Sequence, residues 1–475
     1  MLKKNKIAFF LCLLFFLAYS TLSVVRHNHF GSFGFDLGIS DQIVWKYSQF
    51  QLPITTVQSY PFTSIFTDHI EFIYVLLSPF YWIFNSPLTL LLLQTFMVSF
   101  SGIPIYLLAK KRNINQFVSI ALLFSYLMFY GIQNALWFDV HSLSFGAAFL
   151  AWFIYFLDIK AKLWTILLFI LAIICKEDIA FLTGIISLVY FIKRKDKISL
   201  ILIVGSGLYL FSIFYIYFPY FTQDGYRYQS EGGLFSNLKF SYFYDNADKK
   251  NTIFYSFAWF GFLPLLVPFY LLPALADLTH YFVFANFLEA AQGLFMHYRV
   301  TLAPLLIFPT IMAINKFKIL NNKYVALYLV LFAAFFQYYF HLPLSYLTKQ
   351  WFWREPATAK DINAIISLIP PDASVVSQNN ITPHIAHRHE IFTLWPEKRD
   401  FKYNSPCMKP TCNWLRWAGN PSYLVVDTAL DWDIRHLLAN REDYIDGLDN
   451  LEKAGAVKKY KQNGSATLYR VIKSP

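Results

Sequence analysis

Long runs of apolar residues, separated by short polar segments, fill the first three quarters of the chain. A helix needs about 20 apolar residues to cross the hydrocarbon core of a membrane. The runs therefore predict a polytopic, all-α membrane domain with about 11 transmembrane helices. The predicted spans are Ile7–Val25, Leu88–Ala109, Phe117–Asn134, Ser142–Leu157, Leu163–Cys175, Ile179–Ile192, Ile198–Phe218, Thr252–Leu272, Leu275–Leu294, Val300–Ile314 and Tyr324–His341.

One further apolar run, Ile70–Phe84, is too short for a full span. Counting it as a crossing would place the cations Lys110–Arg112 on the outer side, although Lys and Arg collect in cytoplasmic loops. We therefore predict an interfacial or re-entrant helix there. The same rule predicts a cytoplasmic N-terminus. No clear small-residue cleavage site follows the first run, so we interpret it as an uncleaved helix rather than a signal peptide.

The composition changes after residue 348, where apolar runs give way to mixed sequence. We predict a transmembrane domain over 1–348 and a small, soluble, extracytoplasmic α/β domain over 349–475. Its predicted elements are helices at Ala359–Ile369 and Leu448–Ala454 and strands at Ser374–Ser377, Tyr423–Val426 and Ala466–Val471. Cys407 and Cys412 lie in this domain, where an outer location permits a disulfide, but free thiols are equally compatible with the sequence.

Composition narrows the class of protein. Hydrophobic residues make up 56% of the chain and charged residues 15%, and the mean hydropathy is +0.41. The net charge of +11 comes largely from short cationic runs between apolar segments, which is the pattern of membrane topology and not of nucleic-acid binding. The chain has no phosphate-binding glycine loop and no Gly-x-Ser-x-Gly nucleophile motif.

Ionisable residues cluster in the predicted outer loops and at the outer helix ends. Such residues are costly at membrane depth and commonly mark a site, whereas in water they are ordinary loop charges. The candidates are Asp36, Asp41, Asp68, His69, Asp139, His141, Lys176, Glu177, Asp178, His297 and Arg299. Three other ionisable residues, Asp277, His280 and Glu289, are interpreted only as interruptions of a weak span.

Each candidate has a chemical and a structural interpretation. Asp36, a carboxylate in a hydrophobic frame, suits a general base. The acid–imidazole groups around His69 and His141 could hold a divalent cation, but no ligand spacing enforces one, so the metal stays unknown. Lys176 and Arg299 could hold a phosphate or form structural ion pairs.

Several short motifs, taken in order, resemble those of the DUF2079 family of bacterial and archaeal membrane proteins. They are Phe35–Gln42, Thr67–His69, Phe138–His141, Lys176–Asp178, His297–Pro304, Ile369–Val375 and Pro383–Arg388. The layout is similar to that of the GT-C superfamily of membrane glycosyltransferases. By that resemblance Asp36 matches the first catalytic acid, Asp139 the second, and Lys176 a lysine of the lipid-phosphate-dependent members.

The resemblance implies a glycosyltransferase of the bacterial plasma membrane. It would transfer a sugar from a polyprenyl-phosphate donor to an unidentified glycan, lipid or protein acceptor on the outer face. Asp36 would deprotonate the acceptor, and Lys176 and Arg299 would hold the lipid phosphate. Asp139 would orient the sugar or a cation together with Asp68, His69 and His141. Asp41, Glu177 and His297 are further substrate-binding candidates. No cofactor is required, although a divalent cation stays open. The alternatives are a transporter or flippase and a non-catalytic sensor or assembly protein.

Overall fold

The structure is a computed structural model and describes residues 5–57, 69–222, 226, 239–285, 289–396, 415–429 and 441–473. It is mostly helical and includes a small sheet. The chain divides into two compact units. Unit 1 comprises Met1–Ser23, Thr67–Ile73 and Leu91–Lys349, and unit 2 comprises Val24–Phe66, Tyr74–Leu90 and Gln350–Pro475.

The helices follow the apolar pattern. In chain order they are α1 (Lys6–Asn28), α2 (Ile39–Ser48), α3 (Ile73–Leu77), α4 (Leu88–Phe100), α5 (Gly102–Lys111), α6 (Gln116–Leu127), α7 (Tyr130–Trp137), α8 (Ser142–Asp158), α9 (Lys162–Ile173), α10 (Glu177–Arg194), α11 (Lys197–Phe211), α12 (Phe218–Phe221), α13 (Ala247–Trp259), α14 (Leu272–Thr279), α15 (Leu302–Lys316), α16 (Lys323–Tyr339), α17 (Gln350–Trp353), α18 (Ala357–Ile366) and α19 (Arg441–Lys453).

Several helical segments are long and apolar enough to cross a membrane, which supports the predicted membrane domain. Within the described residues they are Lys6–Asn28, Leu88–Lys111, Gln116–Trp137, Lys197–Phe221 and His297–Lys316. The structure also contains shorter apolar helices, such as Ser142–Asp158 and Lys323–Tyr339. The total of about 11 spans stays a prediction.

Short polar side chains fix where several of these helices begin. The side chains of Asn115, Asp196, Asn246 and Asn322 each accept a hydrogen bond from a backbone N–H of the first helical turn. Such caps satisfy donors that have no partner inside the helix. The polar residues between the apolar runs therefore end one helix and start the next.

The predicted spans Thr252–Leu272 and Leu275–Leu294 are wrong as continuous helices. Helix α13 ends at Trp259, and the backbone then turns through Gly261 and Phe262, which have φ of +62° and 58°. Two 3-10 turns begin beside Pro264 and at Pro268, because proline disfavours continuation of an α-helix. Helix α14 follows and runs into a π-helical turn at His280–Phe284.

The run predicted as interfacial, Ile70–Phe84, forms α3 and a 3-10 turn at Ser78–Trp82. The combined segment Ile73–Trp82 is far shorter than a membrane crossing. Its tip is exposed and apolar, with Trp82 and Ile83 among the exposed side chains. This agrees with a segment that does not cross the membrane.

The sheet lies in unit 2. Its strands are β1 (Val375–Ser377), β2 (Ile391–Thr393), β5 (Tyr423–Asp427), β6 (Val457–Asn463) and β7 (Ala466–Val471), and β3 (Trp395–Pro396) pairs separately with β4 (Leu415–Arg416). The order is β2-β1-β5-β7-β6, with β1 parallel to both neighbours and β7 antiparallel to its own. Val376, Leu424 and Leu451 belong to the core of this α/β domain.

Unit 2 also includes part of the long loop after the first helix. The backbone N–H of Gly34 donates to the carbonyl oxygen of Asn379 at 2.7 Å, and that of Phe35 to the Asn379 side chain at 3.2 Å. A Cβ on Gly34 would lie 2.9 Å from Cβ of Thr382, so a larger residue would require one of the two segments to shift. The predicted domain boundary at 348/349 did not anticipate this association and stays a prediction.

Candidate active site

A polar cluster lies within unit 1. It draws on the loop before α8, the start of α10, the end of α14 and the 3-10 turn before α15. Its members, called the polar cluster below, are His69, Glu71, His141, Lys176, Glu177, Asp178, Asp277, His280, His297 and Arg299. Asp139 is buried in the same loop as His141. Most of these side chains are buried, which is costly for ionisable groups unless they have partners or a ligand.

Helix α10 starts at the centre of the polar cluster. Lys176 is its N-cap residue, and Glu177 and Asp178 occupy the first turn, where the helix dipole favours negative charge. The Glu177 carboxylate lies 2.6 Å from Nδ1 of His69 and accepts a hydrogen bond from the hydroxyl of Tyr226 at 2.7 Å. The carboxylate and its partners thus hold the segment at His69 against α10.

Asp178 joins α10 to the end of α14. Its carboxylate lies 3.1 Å from Nε2 of His280 and accepts a hydrogen bond from the Tyr281 hydroxyl at 3.3 Å. Nζ of Lys176 is 3.9 Å from the same carboxylate. One of the structural ion pairs considered for Lys176 is therefore present, but it is long and leaves the ammonium with capacity for further acceptors.

Three aromatic rings are stacked where the loop before α8 meets the turn before α15. The rings of His141 and His297 are 3.9 Å apart and within 7° of parallel, and Phe138 lies 5.0 Å from His297. Gln94 fixes the loop, because its side chain donates to the carbonyl oxygen of Asp139 and accepts from the N–H of His141. The stacking and the Gln94 hydrogen bonds thus fix the position of the loop and the orientation of the two histidine rings.

Arg299 is the most buried cation of the polar cluster, with 0% exposure. Its Nη2 donates to the carbonyl oxygen of Ala291 at 2.6 Å, and its guanidinium lies 4.6 Å from the ring centre of Tyr281. Nε and Nη1 have no hydrogen-bond partner among the described residues, and no described carboxylate lies within ion-pair distance. Asp277, buried in the same region, accepts instead from Thr301.

A second group of buried polar residues lies in unit 2. It is formed by the segment that follows the first helix and by the loop of the α/β domain around His387. Asp41 is fully buried in α2 and accepts a hydrogen bond from the Tyr81 hydroxyl. Nε2 of His387 lies 3.0 Å from each oxygen of the same carboxylate. Asp36 lies one turn earlier, in a π-helical turn at Gly34–Gly38, and is partly buried.

The loop around His387 is held by further buried polar groups. The Arg388 guanidinium donates to the carbonyl oxygens of Ile385 and Ala373, and burial lowers its pKa to about 10. His384 is stacked between His27, at 4.1 Å, and Phe30, at 3.9 Å. Burial there, together with the charge of His27, holds the pKa of His384 well below its usual 6.5.

The sequence-predicted residues fall into both units. Unit 1 brings together His69, Asp139, His141, Lys176, Glu177, His297 and Arg299, whereas Asp36 and Asp41 belong to unit 2. Asp68, Cys407 and Cys412 lie outside the described residues. The predicted convergence of Asp36 with Asp139 and Lys176 therefore stays a prediction.

Sequence reasoning missed several members of these groups. It omitted Glu71, which accepts a hydrogen bond from Ser142, and it treated Asp277 and His280 only as interruptions of a span. Their position inside an apolar run was a usable signal, because charged residues within membrane segments usually serve a site. His387 and Tyr81 carried no such signal. Within the described ranges, no three His, Cys, Asp or Glu side chains are arranged to hold a metal ion.

The motif series and the sequence as a whole identify the family. The family described as "Predicted membrane protein (DUF2079)" matches residues 26–418. The chain belongs to the DUF2079 family. No curated protein matches this DUF2079 chain in sequence.

The fold resembles that of a solved membrane enzyme. The structure of ArnT from Cupriavidus metallidurans, bound to undecaprenyl phosphate, matches with a TM-score of 0.51 over 96% of this chain and 97% of that one, at 11% identity. ArnT is a GT-C glycosyltransferase. The similarity shows that this DUF2079 protein has an ArnT-like fold.

Proposed function

We propose that this DUF2079 protein is a membrane glycosyltransferase that uses a polyprenyl-phosphate-linked sugar as donor, at the outer face of the bacterial plasma membrane. The fold similarity to ArnT supports the enzyme class, and the undecaprenyl phosphate bound to ArnT supports the donor class. The polar cluster supports an anion site, as argued next.

Arg299 carries the proposal. A buried guanidinium is disfavoured unless opposite charge and hydrogen bonds offset its desolvation. The Asp277 carboxylate attracts Arg299 but accepts its hydrogen bond from Thr301. Stacking over Tyr281 compensates only part of this cost. The two nitrogens without partners, Nε and Nη1, lie on different edges of the planar guanidinium, and each offers a charged N–H donor. A phosphate would supply acceptors for these donors and further negative charge.

Lys176 is the second cation proposed to bind this phosphate. It belongs to the polar cluster as the N-cap residue of α10, and 11% of its side chain is exposed. Its ion pair with Asp178 orients the ammonium without using all three of its donors. A lysine offers a phosphate a compact positive charge, whereas the planar guanidinium of Arg299 also fixes the directions of its hydrogen bonds.

The proposed reaction is an inverting single displacement. The acceptor hydroxyl attacks the anomeric carbon and loses its proton to a base, while the bond from that carbon to the phosphate oxygen breaks. The electron pair leaves with the lipid phosphate, whose charge Arg299 and Lys176 stabilise. Sequence analysis assigns the base to Asp36, and that assignment stays a prediction.

Lipid binding tests the anion site directly. Full-length protein in nanodiscs is titrated with undecaprenyl phosphate and with uncharged undecaprenol, and bound lipid is measured by native mass spectrometry. Each hydrogen bond to a charged group contributes about 1.5–3 kcal/mol, so Arg299→Gln should weaken phosphate binding at least about tenfold. Undecaprenol binding should not change.

Lys316→Gln is the matched control, because Lys316 lies at the opposite end of the same helical segment, roughly 26 Å from Arg299. Equal binding of undecaprenyl phosphate by Arg299→Gln and wild type would contradict the phosphate site. If Arg299→Gln does not fold, Lys176→Gln answers the same question.

Transfer is tested with a panel of undecaprenyl-phosphate-linked sugars. Phosphate-dependent binding with no donor consumed would indicate a lipid-binding protein instead of a transferase.

A further inference from the structure

Asp277 is a second buried ionisable residue of the polar cluster with an unsatisfied hydrogen-bonding atom. Its side chain is 2% exposed, and Oδ1 accepts a hydrogen bond from the Thr301 hydroxyl at 2.7 Å. Oδ2 is also buried, and no residue in the described ranges donates to it. A buried carboxylate oxygen without a donor is as costly as a buried donor without an acceptor. Asp277 therefore calls for a ligand for the same reason as Arg299.

The Asp277 carboxylate lies on the side of its helical segment that faces Arg299. The guanidinium of Arg299 stacks over the ring of Tyr281, which follows Asp277 by four residues in the segment formed by α14 and the π-helical turn. Residues four apart in a helix lie on one face. Thr301, which donates to Asp277, belongs to the same 3-10 turn as Arg299. All four residues belong to unit 1.

Arg299 and Asp277 are neighbours that do not satisfy each other. The arginine donates to the carbonyl oxygen of Ala291, the aspartate accepts from Thr301, and no hydrogen bond joins the two side chains. Unsatisfied donors and an unsatisfied acceptor thus lie close together. A ligand that pairs with both must present acceptors to the guanidinium and a donor to the carboxylate.

A sugar linked through its anomeric carbon to a phosphate has this combination of groups. The phosphate oxygens are acceptors only, and the Asp277 carboxylate would repel them. The group that reaches Oδ2 must therefore come from the sugar. The hydroxyl on the carbon beside the anomeric carbon, the 2-hydroxyl, is the donor nearest to the phosphate along the bonds of the sugar. A hydrogen bond from it to a carboxylate is of the strong, charge-assisted kind.

From this arrangement we infer that Asp277 binds the 2-hydroxyl of the donor sugar, and that the protein selects sugars with a free 2-hydroxyl over 2-deoxy sugars. The inference rests on the proposed lipid-phosphate donor and adds the class of sugar to it. Hydrogen bonds to the 2-hydroxyl strengthen as positive charge develops at the anomeric carbon. No bond to Asp277 forms or breaks, so the residue determines specificity and is not the base.

Binding of matched lipids tests the inference. Full-length protein in nanodiscs is titrated with undecaprenyl phosphate linked to glucose, to mannose and to 2-deoxyglucose, the 2-deoxy counterpart of both, and bound lipid is measured by native mass spectrometry. A hydrogen bond to a charged group changes affinity about 10- to 100-fold. The wild type should therefore bind the glucose or the mannose lipid at least about tenfold more tightly than the 2-deoxyglucose lipid.

Variants of Asp277 show whether this residue causes the preference. Asp277→Ala should bind the three sugar lipids equally, and Asp277→Asn, which serves if the alanine variant does not fold, should show a smaller preference than wild type. Both should bind undecaprenyl phosphate at least as tightly as wild type, because a negative charge beside the phosphate is removed. Asp248→Ala is the matched control, because Asp248 is an exposed carboxylate of unit 1 and should keep the wild-type preference.

Three results would overturn the inference and leave the phosphate site intact. They are equal binding of the three sugar lipids by the wild type, an unchanged preference in the Asp277 variants, and an equal loss of all lipids, undecaprenyl phosphate included, in those variants. The last result would assign Asp277 a structural role only. A preference for the 2-hydroxyl that depends on Asp277, with no donor consumed, would support the inference and contradict the proposed transfer.

Discussion

Substituting Gly131 by alanine tests how closely helix α7 packs against the turn that carries Arg299. A Cβ at Gly131 would lie 2.6 Å from the carbonyl carbon of Arg299, and the carbonyl oxygen would be closer still. This is about 1 Å short of van der Waals contact. Because the facing atoms are backbone, no change of side-chain rotamer relieves the overlap, and the helix or the turn must move.

Two opposing contributions to the free energy of unfolding set the size of the effect of Gly131→Ala. Alanine favours a helix over glycine by about 1 kcal/mol, whereas overpacking a well-packed core costs about 1–3 kcal/mol. Gly207 in α11 separates these terms, since a Cβ there meets nothing within 4 Å. We therefore expect Gly131→Ala to be less stable than Gly207→Ala by about 1–3 kcal/mol, which is the steric term alone.

The assay is unfolding of the detergent-solubilised full-length protein, with undecaprenyl phosphate binding measured on the same samples. Gly131→Ala should also bind the lipid phosphate more weakly, because the displaced turn carries both His297 and Arg299. Equal stability of the two variants would refute the packing argument. Lower stability with unchanged lipid binding would show that the turn is not part of the phosphate site.

Two further predictions concern buried charges. Asp158→Asn removes the carboxylate that Arg112 and Arg194 share. Breaking a fully buried ion pair costs about 3–5 kcal/mol. Because both guanidinium groups are partly exposed, we expect thermal unfolding to show a smaller loss of stability, about 2 kcal/mol. His384 has a native pKa well below 6.5, so the unfolded chain binds the extra proton and stability should fall as the pH drops below 6.5. His384→Phe should lessen this acid sensitivity, and an unchanged pH dependence would argue against it.

The apolar pattern predicted the helices well where the pattern itself determines them. The predicted spans Ile7–Val25 and Ile198–Phe218 correspond to Lys6–Asn28 and Lys197–Phe221, because a long apolar run has one favourable conformation in a membrane. The pattern failed after Trp259. There the hydropathy stays high, but Gly261, Phe262 and the following prolines set the backbone. Hydropathy reports the surroundings of a segment and not its dihedral angles.

The sheet shows a second limit. Strand β7 is found at the predicted residues, Ala466–Val471. Strand β6, which pairs with it, reads Val-Lys-Lys-Tyr-Lys-Gln-Asn and is exposed along most of its length. Lysines are common on edge strands because they discourage pairing with other chains. They also remove the hydrophobic signal from which a strand is predicted.

The candidate site also contains one part that the sequence predicts and one part that it does not. Local motifs such as Lys176–Asp178 could be predicted, because charge beside an apolar run is visible in the sequence. The partners of Asp41 could not, since Tyr81 is 40 residues and His387 is 346 residues away along the chain. Only the tertiary fold brings such segments together, and a single sequence does not show which long-range pairs form.

Acids and histidines are paired in one recurrent way within the described ranges. His69 covers Glu177, His280 covers Asp178 and His387 covers Asp41. In each pair the carboxylate is the buried member, with 2%, 8% and 0% exposure, and the imidazole is the accessible one, with 18%, 28% and 20%. In each of these three pairs the carboxylate therefore orients an imidazole that is more exposed than the carboxylate itself. A search for catalytic acids alone would overlook these histidines.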